Sequence, residues 1–406
     1  MRIHARHGLV WTALLAAVGC DLGVSNPGPV SDDALNDPAA HGAVVNGMAR
    51  SLSNAVGFVA YTGAIVTREL VASGNANPGT LGVTLKQSSG VLDPGWEENN
   101  EHWRRAQQAR WVAEDGVERI RGVRGSLAES DSLVARALLY VGFANRLLGE
   151  NMCQAVFDGG PAEPRSKYFE RSEAAFTDAA AVAAASGRPD IRTAAIAGRA
   201  SVRTWLGDWS GAVADASQIA VGFAFQAIYS SGESTQHNRI FAANITGPRA
   251  HSVFSTFFES YHAATGDPRT PWSTNPAFPT GTRGVPWYFQ TKYTSAAAPV
   301  NLVTGTEMRL IIAENRLRGG DVPGAVSIIN ERRSQLRVPL VSAATVAEAW
   351  AGLARERWIE FWLEGRRLGD ISRWKAGGDP VQFPDMEGRD LCFPIGVSEL
   401  DSNPNV

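Results

Sequence analysis

The recurring pattern along this chain is alanine-rich, with apolar residues at three- and four-residue spacing. It predicts helices over 98–123, 133–148, 168–185, 191–206, 209–221, 307–318, 323–335 and 344–363. Strand-like patches are short and scattered, so the pattern predicts a mainly α protein. Its densest stretch is residues 355–374, RERWIEFWLEGRRLGDISRW. Trp358, Phe361, Trp362 and Gly365 recur as on one helical stripe. Glu356, Glu360 and Glu364 form a second stripe, with Arg357, Arg366, Arg367 and Arg373 in reach. In a chain that is only 19% charged, this crowding predicts a partly buried helix whose ions pair with one another. Carboxylates this close also invite comparison with a glycosidase pair, which has no universal sequence spacing. Acids one turn apart on an ion-rich helix are far more often structural.

A degenerate repeat runs through the pattern. Ala200, Gly207–Asp208 and Ala212 recur with identical spacing as Ala313, Gly320–Asp321 and Ala325. Gly142 and Gly149–Glu150 give a partial third copy, its last alanine displaced by one to Ala155. The chemistry is that of a helical hairpin. Gly207 and Gly320 suit the left-handed end of one helix, Asp208 and Asp321 cap the next, and Pro323 suits its first turn. The small residues allow the helices to approach closely. This resembles the tetratricopeptide hairpin, with separated copies instead of a tandem array; a generic alanine-rich bundle is the plainer reading. Between the copies, residues 224–301 change character. Gly, Pro, Ser, Thr and Asn cluster there with Tyr261, Trp272, Phe278, Trp287, Tyr288, Phe289 and Tyr293. A second loop-rich region, 73–95, ends at Trp96 and leads into Trp103.

The ends add a location. Arg2 and Arg6 precede an uncharged run from Gly8 to Val18, which describes a signal peptide over 1–19. The run is shorter than the roughly 20 residues of a membrane-spanning helix. Small residues directly before Cys20 resemble the lipobox of bacterial lipoproteins, with Ala17 where leucine is usual. That resemblance implies lipidation of Cys20; ordinary secretion with an incidental thiol is the alternative. Residues 20–37 have linker composition, and 38–406 are read as one body. Removing Arg2 and Arg6 takes the formal charge from −3 to −5. A mildly acidic chain without a basic run argues against nucleic acid as partner. The remaining cysteines, Cys153 and Cys392, suggest a disulfide in an exported protein, with two buried thiols as the alternative.

The block over 355–374 resembles the signature of the RagB/SusD nutrient-binding lipoproteins. The matching residues are Glu356, Arg357, Glu360, Phe361, Glu364, Gly365, Arg367, Asp370, Ile371, Arg373 and Trp374. A terminal motif is similar too: Pro394, Ile395, Glu399, Asn403 and Pro404, placing the family signature over 355–405. Residues 266–270, GDPRT, and Lys292–Tyr293 also look like the family. The resemblance implies a SusD-like body with interrupted tetratricopeptide-like hairpins and loop-rich insertions. It implies a lipid-anchored protein on the outer face of an outer membrane, which captures an oligosaccharide, or else a peptide. The ligand would pass to a TonB-dependent, SusC-like transporter barrel. The early loop and the middle insertion would form the ligand face.

Catalytic chemistry finds no motif. No H-E-x-x-H or other metal spacing, no G-x-S-x-G and no Walker loop is present, so neither catalytic residues, metal nor cofactor is expected. Binding is easier to argue, because sugar rings stack apolar faces on aromatic planes while polar groups bond their hydroxyls. Trp96, Tyr261, Trp272, Trp287 and Tyr288 are the candidate platforms, with Arg68, Glu69, Asn75 and Asn77 as polar partners. Trp205, Trp209, Trp350, Trp358, Trp362 and Trp374 are expected in the core. A lipid-anchored tetratricopeptide adaptor holding outer-membrane proteins is the rival; it predicts tandem repeats and little aromatic loop surface. A surface glycosidase would turn its sugar over.

Overall fold

The computed structural model describes residues 31–74, 85–245 and 247–406. Cys20, the leader and most of the expected tether lie outside the described residues, as do Asn75 and Asn77. The last tether residues are docked, with Arg119 holding Asp32 at 2.9 Å. The elements in chain order are α1 (His41–Val66), β1 (Val71–Ala72), α2 (Leu85–Ser89), α3 (Glu97–Arg124), α4 (Ser132–Asn151), β2 (Gln154–Ala155) and β3 (Glu163–Pro164). There follow α5 (Ser166–Ala185), α6 (Pro189–Leu206), α7 (Trp209–Ala216), β4 (Ala224–Ala227), α8 (Arg239–Ala243), β5 (His251–Ser252) and α9 (Phe257–Thr265). The chain ends with β6 (Trp272–Thr274), β7 (Tyr288–Gln290), β8 (Val300–Thr304), α10 (Gly305–Arg318), α11 (Val322–Leu336), α12 (Val346–Glu360), α13 (Arg367–Gly377) and α14 (Val397–Ser402). Neighbouring helices from α3 to α7 pack in sequence, and α10 then joins α6 and α7 to α11 and α12. No helix among the described residues is long and apolar enough to cross a membrane.

Both full hairpin copies form as their chemistry requires. Gly207 ends α6 with φ 77°, and Asp208 accepts the Gly211 N–H at 2.9 Å to cap α7. Gly320 takes φ 79°, and Asp321 accepts the Gly324 N–H at 2.9 Å to cap α11. The partial copy is different. Gly149 and Glu150 lie inside α4, and no turn forms there. Gly142 and Gly149 instead admit aromatic rings of α5: a Cβ would stand 2.5 Å from Phe176 at the first and 2.7 Å from Phe169 at the second. Gly198 of α6 meets Phe176 just as closely, so this ring is wedged between two helices through their glycines. The helix expected over 209–221 stops at Ala216.

Helix α1 has no counterpart among the sequence-predicted helices. From Ala55 to Val66 every residue is buried. A helix buried on all sides has no polar face, hence no periodicity, and its Gly, Val and Thr residues are weak helix formers.

The block over 355–374 is broken, contrary to the single helix expected. Helix α12 starts at a capping box of Thr345 and Glu348 and ends at Glu360. Residues 361–365 then turn, with Leu363 at φ 60° and Gly365 at φ 71°, before α13 begins. Side chains predicted to share one stripe therefore point into different parts of the core. Trp362 stacks on Phe258 of α9, while Phe361 joins the cluster around Trp350 and Trp374. Gly365 sits against the backbone of Ala60 in α1, where a Cβ would come within 3.2 Å.

The ions of the block do pair, mostly with distant elements. Arg357 grips Asp370 through two bonds of 2.8 and 2.7 Å. Arg373 binds Glu314 of α10 at 2.6 and 2.8 Å, and Trp374 Nε1–H donates to the same carboxylate at 2.9 Å. Arg366 binds Glu307 at 3.0 and 2.6 Å, with Glu150 of α4 at 3.3 Å. Arg367 reaches the carbonyl of Thr67 and Asp385. Cys153 and Cys392 are joined as a disulfide with Cα atoms 5.0 Å apart. Beside it, Cys153 N–H donates to the Phe393 carbonyl at 2.9 Å, tying the end of α4 to the C-terminal segment.

Burial alone would raise the pKa of Glu307 and of Glu314. Arg366 and Arg146 hold Glu307 down to about 2, and Arg373 holds Glu314 down to about 2, against an ordinary 4.5. Carboxyls depressed by folding contribute stability that is present above their unfolded values and lost as pH falls through the folded ones. Denaturant titrations should therefore show stability declining between pH 4.5 and about 2, with a shallower decline in Glu307→Gln; equal slopes would count against the assignment. Glu314→Ala strands Arg373 in the core and is expected to cost ~3–5 kcal/mol in urea unfolding. A loss under about 1 kcal/mol, the scale of an exposed pair, would show that Arg373 finds another partner.

Candidate functional site

The middle insertion and the start of the early loop are stitched together by backbone bonds. Strand β1 pairs with β5, and the N–H groups of Ser73 and Gly74 donate to the Ala250 carbonyl at 2.9 and 3.2 Å. Arg283 N–H donates to the Ser73 carbonyl at 3.1 Å, and its Nε–H to that of Gly74 at 3.2 Å. Two glycines permit this approach. A Cβ on Gly281 would lie 2.0 Å from the Ser73 carbonyl oxygen, and one on Gly74 2.2 Å from that of Arg249.

On this base stands the antiparallel hairpin of β6 and β7, pairing Trp272 with Gln290 and Thr274 with Tyr288. Strand alternation divides its aromatic residues between two faces. Trp272 and Tyr288 stack on one face, centroids 5.0 Å apart and planes 12° from parallel. Trp287 and Phe289 contact each other on the opposite side at 4.7 Å. That second pair borders a hollow of about 380 Å³, whose lining includes Asn244, Asn275, Thr291 and Thr294 and contains no charged side chain. Gln290 fixes its floor by exchanging bonds with the backbone of Tyr293, N–H to Oε1 at 2.8 Å and Nε2–H to O at 3.1 Å.

Two residues of this lining each carry a fully buried polar atom with no hydrogen-bond partner among the described residues: the indole Nε1–H of Trp287 and the Oδ1 of Asn244. Each costs ~1–3 kcal/mol when left unmet. One is a donor and the other an acceptor.

The insertion is held to the signature block by the residues that resembled the family. Arg269 of the GDPRT segment binds Glu356 and, at 2.9 Å, Glu360. It also chelates Asp267, while Arg333 takes the other oxygen of Glu356 at 2.6 Å. The carboxylates that could be compared with a glycosidase pair are thus bound by arginines. Lys292 donates to Glu364 at 2.9 Å and to the Trp362 carbonyl at 2.6 Å, and Tyr293 to the Leu363 carbonyl at 3.2 Å.

The sequence candidates are therefore scattered. Trp287 lines the hollow but is only 2% exposed, so it presents no open ring face to a ligand. Trp272 and Tyr288 are partly exposed on the other face of the hairpin. Tyr261 stacks on Phe257 at 5.4 Å and spends its hydroxyl on Asp267 at 2.6 Å, a packing role. Trp96 precedes α3, outside the hollow. Arg68, at φ 58°, lines a separate hollow of about 460 Å³ with Phe257, Arg355 and Trp358. Glu69 needs correction as a surface ligand: it is 1% exposed and accepts the Leu363 N–H at 2.9 Å and the Thr67 hydroxyl at 3.1 Å, bracing the signature turn. Asn244, Asn275, Thr291 and Thr294 were missed, because neutral residues in irregular loops have no period or spacing to mark them. Of the tryptophans assigned to the core, Trp350, Trp362 and Trp374 are buried, whereas Trp205, Trp209 and Trp358 remain partly exposed.

No protein-family model matches the chain, and no curated protein matches its sequence. Its fold does have relatives among solved structures. A laminarin-binding SusD-like protein shares 15% identity and a TM-score of 0.67 over 91% of this chain and 99% of that one. A SusD superfamily protein from Bacteroides thetaiotaomicron shares 14% identity and a TM-score of 0.65 over 90% and 98%. A SusD-like carbohydrate-binding protein from Bacteroides vulgatus shares 16% identity and a TM-score of 0.60 over 82% and 83%. The chain has the SusD/RagB fold.

Proposed function

We propose that this protein captures a neutral oligosaccharide at the β6–β7 hairpin. The observation that carries the reading is the hollow beside Trp287 and Phe289, whose described lining joins aromatic rings to neutral amides and hydroxyls and includes no charged side chain. Neutral amides and hydroxyls suit sugar hydroxyls, and the Trp272–Tyr288 stack offers a partly exposed aromatic surface nearby. Glycan recognition is also the activity named for two structures of the same fold.

The lipobox-like residues before Cys20 and the resemblance of residues 355–374 support a wider setting for this reading. Cys20 takes the lipid, the body stands on the outer face of an outer membrane, and the bound sugar passes to a TonB-dependent barrel. Handover needs no covalent step in this chain, so moderate affinity with fast release serves it.

Trp287→Phe keeps a ring and deletes the unmet N–H. Calorimetric titration with β-glucan oligosaccharides should show affinity reduced about five- to tenfold while thermal stability holds or rises. Unchanged affinity in Trp287→Phe and in Trp272→Ala would remove the hairpin as the site. Cys20→Ser should move the protein from the membrane to the soluble fraction, and the native form should co-purify with a large β-barrel in mild detergent. Membrane retention of Cys20→Ser would reject the anchor, and failure to recover a barrel would count against the partner.

A further inference from the structure

A second cavity, sharing no lining residue with the hairpin hollow, lies where α1, α4 and β4 meet the segment before α8. It encloses about 320 Å³. Arg50, Arg136, Arg239 and His237 all line it, and among the described residues no carboxylate does. The walls between these groups mix apolar side chains such as Leu52, Phe225 and Ile228 with tyrosines, amides and hydroxyls.

Two of these cations, Arg136 and Arg50, have only long contacts among the described residues. Arg136 donates to Asn46 Oδ1 and to the Tyr140 hydroxyl, both neutral and both at a long 3.3 Å. Arg50 touches Glu233, outside the lining, at 3.4 Å. Burial, and then the charge of Arg105, lower the proton affinity of Arg239. Buried Arg357 and Arg373, by contrast, meet carboxylates at 2.6–2.8 Å. Guanidinium groups presented together in a concave, partly dry site attract an oxyanion, which they can bind through paired N–H groups.

We propose that this cavity is a second ligand site, specific for a saccharide that bears a carboxylate, such as a uronic acid unit. Arg136 and Arg50 hold the carboxylate, while amides and hydroxyls of the wall bond the sugar hydroxyls. The site is independent of the neutral-glycan reading of the hairpin. It gives the protein a means of preferring acidic glycans or acidic branches on a mixed chain.

The test is calorimetric titration of the full mature chain with a galacturonic acid trimer and with the neutral galactose trimer. The acidic trimer should bind at least about tenfold more tightly, and more weakly as salt is added. Arg136→Gln should lower its affinity about tenfold. Arg50→Gln, at a position whose side chain is 57% exposed and so tolerant of change, should weaken it in the same direction. Trp287→Phe should leave it unchanged, so failure of the hairpin reading and failure of this one are separable. The proposal is overturned if the two trimers bind equally, if the acidic trimer does not bind, or if neither arginine substitution alters its affinity.

Discussion

Arginines are costly to bury, and the SusD/RagB fold of this chain is organised around giving those of residues 355–374 their counter-charges. Arg366 draws Glu307 from the start of α10 and Glu150 from the end of α4. Arg373 draws Glu314 from the middle of α10, and Arg367 draws the carbonyl that follows α1. Such pairs add little net stability over apolar packing, but each leaves a large penalty if its geometry is lost. They act as registration marks: helices far apart in sequence can pack in one arrangement that satisfies all of them. The break at 361–365 belongs to the same constraint, since it re-aims the chain so that Arg366 reaches Glu307 while Trp362 packs on Phe258.

The same network reaches the loops. Arg269 hangs the segment before β6 on Glu356 and Glu360, and Lys292 and Tyr293 hang the segment after β7 on the turn at 362–364. A short hairpin with little core of its own is thereby held at both ends by buried charge. Binding on a pre-organised loop avoids the entropy of ordering it on contact. The two cavities differ in what such a frame leaves unmet. Beside Trp287 it leaves neutral hydrogen-bonding atoms; beside Arg136 it leaves positive charge with only long, neutral contacts.

Much of the helical body was legible because its elements have polar faces or cap chemistry. The hairpins at Gly207–Asp208 and Gly320–Asp321 are local devices, and local devices survive in sequence. The second half of helix α1 was invisible for the opposite reason: burial on every side from Ala55 to Val66 erases periodicity. The glycines of α4 matched a repeat spacing while serving another end, since a glycine needed for a ring's approach and one needed for a left-handed turn are the same letter. Glu69 looked like a polar ligand partner and Tyr261 like an aromatic platform, because sequence does not record that their partners are Leu363 and Asp267.

By itself the sequence determined the fold class, the hairpin chemistry and the block whose ions must pair, because all three rest on spacing within a few turns of helix. Only the tertiary structure decided which ions pair, where the block breaks and which aromatic residues share a hollow. Those outcomes depend on contacts between residues tens to hundreds of positions apart, such as Glu69 with Leu363 and Ser73 with Arg283. Their geometry is set by packing that no local pattern encodes.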